Sequence, residues 1–116
     1  MMESVLGLTR GYTTATKTGV TSSAPAVLYN LAAGAMVRLY PTSAGTATFY
    51  STGSNPASAA TDVAAGNSAI TSSATAKWTQ WTAGAVTADT TQTAILPQSA
   101  GAVVVTSGTW TLEVCQ

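Results

Sequence analysis

Threonine stands in this chain where most proteins place charged residues. Only eight of the 116 residues carry charge, in balance, against 22 Thr and 12 Ser. A folded surface must still present polar groups to water, so hydroxyls have to supply them. Thr is branched at Cβ, stiff at χ1, and suited to the exposed face of a strand. The chain is therefore expected to be all-β. The 46% hydrophobic content adds less core than it suggests, because 22 of those residues are Ala and only 20 are Leu, Ile, Val or Phe. That supports one domain with a modest interior.

A surface with so few charges has little protection against association. The expectation is a subunit largely covered by neighbours. Arg10, Lys17, Arg38 and Lys77 are scattered singly, which excludes the clustered cations that phosphate binding needs. Cys115 is the only cysteine, so no intrachain disulfide exists. The start, Met1 to Leu8, lacks the basic region and long apolar run of a signal peptide. No segment approaches the roughly 18 to 20 apolar residues of a membrane span. Synthesis in a host cytoplasm, without export by a leader, is expected.

Residues 1–23 read as an N-terminal arm whose Thr-rich part, 11–23, can extend as an edge strand. Residues 24–116 read as the β domain. Strands are expected at 26–31, 35–40 and 46–52. Pro41-Thr42-Ser43-Ala44-Gly45 is expected to turn the chain between the last two as a hairpin, with Pro at its start and Gly at its close. Residues 53–75 form a long Ala/Ser/Thr-rich excursion. A short strand near Ser68 to Ser72 is expected there, and the remainder is either a surface excursion or an Ala-rich turn of helix near Pro56 to Ala60. Further strands are expected at 76–82, 86–95 and 103–105. Ser107-Gly108 is a turn signal. The last strand has the cleanest alternation, with Trp110, Leu112 and Val114 on one face and Thr109, Thr111, Glu113 and Cys115 on the other. About seven or eight short strands predict a single antiparallel β-sandwich or small barrel.

Several strands carry apolar groups on both faces. If Val37 and Leu39 point inward, Met36 and Tyr40 point outward beside Arg38; if Phe49 points in, Tyr50 points out. Trp78 and Trp81 are three apart, which sets them on opposite faces of a regular strand, although a bulge could bring both inward. Outward aromatics mark contact surfaces. Val5, Leu6, Leu8, Met36, Tyr40, Tyr50 and Trp81 are the candidate interface residues.

Catalysis has little to work with. The chain contains no histidine, which removes the usual nucleophile activation and the commonest metal ligand. Its four acids, Glu3, Asp62, Asp89 and Glu113, are dispersed. Asp62 and Asp89 could meet as a carboxylate pair, but solvated loop acids are expected. Glu113 should face outward, solvated or paired with a cation. No phosphate loop, dinucleotide fingerprint or calcium loop is present. The expectation is no enzyme, no cofactor and no metal. Trp78, Trp81, Tyr50 and Tyr40 leave one binding pattern open, a sugar-stacking platform.

The order AMVRLYPTSAGTATFYST, AKWTQWTAGAVT, VVV and TWTLEV resembles small virion proteins encoded among the structural genes of tailed bacteriophages. These show a VxLYP…GTATxxYS hairpin, a Trp-containing strand followed by a Gly turn, and a final Val-rich pair. The resemblance covers roughly residues 24–115; the arm and the 53–75 stretch fall outside its pattern. It implies a β-sandwich that decorates or cements a capsid, packed against the major capsid protein, copies of itself or both. A homo-oligomer, such as a trimer, in the virion is then expected. Two alternatives stay open: a tail, baseplate or fibre module that binds a host glycan, and a bacterial surface domain.

Overall fold

The structure is a computed structural model that describes residues 4–7, 14–29, 31–32, 34–93 and 99–116. The strands are β1 (Ser4–Gly7), β2 (Thr14–Val20), β3 (Ala26–Tyr29), β4 (Met36–Thr52), β5 (Trp78–Gln80), β6 (Thr90–Thr93) and β7 (Ala100–Cys115). Two helices, α1 (Pro56–Ala65) and α2 (Asn67–Thr71), lie between β4 and β5. The all-β expectation holds. All seven strands join one hydrogen-bonded sheet, antiparallel throughout except that β1 runs parallel to β3.

The sheet is organised by β4 and β7, of 17 and 16 residues. They pair from Met36↔Cys115 to Thr52↔Ala100. Toward Met36, β6 flanks β4 and β2 flanks β7; toward Thr52, β5 flanks β4 and β3 flanks β7, with β1 beyond β3. The sheet thus has a first half, β6-β4-β7-β2, and a second half, β5-β4-β7-β3-β1.

The expected hairpin at 41–45 is absent. Chain 36–52 is one strand, and so is 100–115, across the Ser107-Gly108 signal. The turn chemistry is used for a crease instead. Register shifts fall between Pro41 and Ser43, Ser43 and Thr46, and Thr46 and Ala47, and bulges of this kind bend the strand that carries them. Pro41, which has no N–H to donate, is tolerated where the ladder is already broken. Two glycines let the backbones touch. A Cβ on Gly45 would lie 2.0 Å from the Ser107 carbonyl oxygen. Gly108 has φ +79°, and a Cβ there would lie 2.6 Å from the Ala44 oxygen.

Because of the crease, both halves share one interior. Val37 and Leu39 from one side meet Ala47 and Phe49 from the other, together with Val103, Val105, Trp110, Leu112 and Val114. Val105 and Trp110 are five apart and would take opposite faces of a regular strand; the crease returns both to the core. The architecture is sandwich-like, but a single creased sheet replaces the two that alternation suggested.

The 53–75 stretch holds the helix anticipated near Pro56 to Ala60, extended to Ala65, and a second helix where a strand was expected at 68–72. Asn55 caps α1, its side chain accepting the Ala57 N–H at 2.8 Å, and Pro56 occupies the first turn. Ala59 and Val63 face inward, as do Ala69 and Ile70 of α2. The Ser68-Ile70-Ser72 alternation resembled a strand, but one buried apolar residue fits a helical turn equally well. The helices cover the outer face of the second half, where Val27, Ala100, Ala102, Val104 and Trp78 form a separate apolar layer with Ala59, Val63, Ile70 and Ala76. The arm is part of the sheet: β1 and β2 extend its edges.

Candidate interface on the open sheet face

The first half has no helix over its outer face among the described residues. Three registered rows define that face. Met36 lies opposite Cys115, Arg38 opposite Glu113, and Tyr40 opposite Thr111. Thr14 and Thr16 of β2 extend the first two rows, and Thr91 of β6 extends the second. Inward positions are held by Val37, Leu39, Leu112 and Val114, so strict alternation turns these rows outward.

Arg38 is the centre of the face. Its Nε and Nη2 donate to Asp89 Oδ1 and Oδ2 at 2.9 and 2.6 Å, a two-pronged pair, and Nη1 donates to Glu113 Oε1 at 3.0 Å. Its Cζ lies 4.6 Å from the centre of the Tyr40 ring, a cation–π distance. Hydrogen bonds from Arg38 hold the Asp89 carboxyl below its ordinary range, and those to Asp89 and Glu113 raise the guanidinium. These groups remain partly in water, so the triad orients side chains more than it stabilises the fold. Beside it, Thr14, Met36, Arg38, Thr91, Glu113 and Cys115 line a shallow recess. Among the described residues, Met36 is the one large apolar side chain that is exposed, at 51%.

The candidate interface residues separate into groups. Met36 and Tyr40 share the open face. Val5 and Leu6 lie on β1, in register with Val27 and Leu28. Leu8 lies outside the described residues. Tyr50 is half-buried against the helix-covered layer. Trp81 is a correction: it is 3% exposed in the inner core, its ring centroid 6.0 Å from that of Phe49, and its indole N–H donates to the Gly84 carbonyl. It cannot be a contact residue. Trp78 and Trp81 do take opposite faces, but the protein covers each with its own chain.

The sugar-stacking platform is therefore not assembled, because its four rings are distributed over three layers. The acids do not pair either. Glu113 binds Arg38, as its outward position suggested. Asp89 joins the same cation, while Asp62 is not a solvated loop acid at all. It lies in α1 at 1% exposure and accepts hydrogen bonds from the Ala76 N–H, the Trp78 indole and the Thr75 N–H at 2.8, 2.9 and 3.2 Å. A signal for this was present. With 56–65 read as helix, Asp62 falls on the same stripe as Ala59 and Val63. Among the described residues, no group of three His, Cys, Asp or Glu could hold a metal ion.

No family model and no curated protein matches the chain. Among solved structures, the pre-peptidase C-terminal domain of collagenase from Bacillus anthracis is similar at 14% sequence identity, over 97% of this chain and 91% of that one, with a TM-score of 0.38.

Proposed function

We propose that this protein is a non-enzymatic assembly module, a decoration or cement subunit of a tailed-phage shell, which docks the Met36–Tyr40 sheet face on neighbouring subunits. The observation that carries this reading is the unequal cover of the sheet. One outer face is closed by the chain's own helices, and the other has no helical cover among the described residues and is lined by Thr hydroxyls, Met36 and Tyr40. The virion setting comes from the sequence resemblance over residues 24–115.

The size of the face bears on the kind of partner. Four strands about 4.8 Å apart, six residues long at about 3.3 Å each, span about 400 Å². A stable pair needs about 800 Å² from each partner. The open face alone falls short, so attachment has to draw on several contacts, as an assembled lattice offers. Binding the lattice better than loose subunits would stabilise the shell by mass action. Among the described residues the charges on the face are Arg38, Asp89 and Glu113, which pair with one another and leave a net charge of only −1, so attachment should depend little on salt.

The test is quantitative mass spectrometry of particles purified from the host that carries this gene, before and after a NaCl wash. Stoichiometric recovery with the shell, unchanged by the wash, is expected. Recovery only in the soluble fraction, or stripping by moderate NaCl with the shell intact, contradicts the proposal.

A further inference from the structure

The helical cover of the second half is fastened through one buried carboxylate. Segment 53–77 leaves the sheet after β4 and returns at β5, which pairs antiparallel with β4. Its apolar residues pack only in the helix-covered layer; none belongs to the core shared by the two halves. The cover and the inner core are thus separate bodies on opposite faces of one half-sheet.

Asp62 joins that cover to the start of β5. Its Oδ2 takes all three hydrogen bonds, from Ala76, Trp78 and Thr75, while Oδ1 is buried with no hydrogen-bond partner. No cation among the described residues pairs with it. α1 and α2 carry no other ionisable group, and the 72–77 loop carries only Lys77, which is exposed. β3 and β4 bring the phenols of Tyr29 and Tyr50 to the margin of the layer; β5 and the 100–105 stretch of β7 bring none. A buried carboxylate with one oxygen unpartnered is tolerated only while its charge strengthens the bonds to the other. Neutralising it weakens three bonds at once and leaves nothing to replace them.

We propose that Asp62 is an acid-released latch, whose protonation frees the α1–α2 cover and exposes the apolar outer face of the second half-sheet while the inner core stays folded. Burial pushes the Asp62 carboxyl up, but the Ala76, Trp78 and Thr75 donors outweigh it and hold the group below its ordinary value. The sign follows from linkage. A depressed folded pKa stabilises the closed form above the unfolded value, about 3.9, and that stability is lost as pH falls through the folded pKa. The latch therefore holds at neutral and mildly acid pH and opens in stronger acid.

Hydrogen–deuterium exchange on the whole purified chain tests this at about pH 7 and about pH 3, with rates corrected for intrinsic exchange. In the wild type, amides of 57–78 should exchange several-fold faster at the acid pH, up to the roughly ninefold that linkage allows one carboxyl with an unfolded pKa of about 3.9, while 36–41 and 103–115 stay protected. Asp62→Asn should exchange fast over 57–78 at both pH values, which separates Asp62 from the other acids that titrate in this range. Loss of protection over 36–41 and 103–115 together with 57–78 in the wild type would overturn the proposal. So would an Asp62→Asn protein as protected at neutral pH as the wild type, or one that fails to fold, since the latch is held not to support the inner core.

Discussion

The two halves of the sheet are built from the same two strands, yet their outer faces end differently. Past the crease, β4 and β7 present Tyr50, Ala100, Ala102 and Val104 to a helical cover; before it, they present Met36, Arg38, Tyr40, Glu113 and Cys115 to the surface, while Thr111 on the same side is buried. The helix-covered face is small-apolar and needs shielding from water. The open face carries the exposed Thr14, Thr16 and Thr91 and an ion-paired triad of net charge −1, which suit it to water. Apolar residues on both faces of a strand therefore have two separate explanations in one molecule. In the second half they are an internal layer, and only in the first half are they available to a partner.

The crease that joins the two halves is the most sensitive point of the sheet. Gly45→Val places a side chain where even a Cβ meets the Ser107 backbone at 2.0 Å. Both halves should lose their common interior, with destabilisation above about 4 kcal/mol, the range of severe backbone and core lesions. Urea unfolding would read this as little or no folded baseline, whereas a near-normal midpoint would show that the crease is not required. Ile70→Ala should act on one half only. It removes a buried side chain at 1% exposure and should cost about 2 to 4 kcal/mol, with exchange rising over 57–78 more than at Trp110 to Val114. Equal loss of protection in both places would mean that the two layers unfold as one.

Smaller effects sharpen the other side. Met36→Lys and Tyr40→Ala alter the open face and should change stability by no more than about 0.5 kcal/mol, measurable as an almost unchanged urea midpoint. Arg38→Gln should have the least effect on folding, because the triad is partly solvated. It should still return the Asp89 carboxyl toward its ordinary range, seen as an upward shift of that side chain's NMR titration. A titration unchanged by the substitution would show that Arg38 is not what holds it down.

Much of the fold was legible because alternation survives wherever a strand has one buried face. Trp110, Leu112 and Val114 point inward as their spacing implied, and Met36 and Tyr40 point outward opposite Val37 and Leu39. What misled was turn chemistry with more than one use. Pro41, Gly45 and Gly108 read as hairpin signals, but the same absence of an N–H or a Cβ serves a crease between two continuous strands. The outward side of β5 and of the 46–52 stretch was also ambiguous. Local sequence shows that Trp78 and Tyr50 turn away from the core, but not that a segment 53–75 poor in large apolar residues returns to cover them. Asp62 was hidden by the same step, since its burial depends on a helix whose stripe is mostly Ala.

Attachment to the shell through the Met36–Tyr40 face is the proposed role. It is tested most directly by the occupancy of purified particles by wild-type, Met36→Lys and Tyr40→Ala proteins, each supplied in the host in place of the native copy. Shell occupancy should fall about tenfold or more for the two variants, the effect of losing about 1.4 kcal/mol or more of binding at a central contact, while their soluble forms stay folded. Occupancy equal to wild type for both variants would contradict the account.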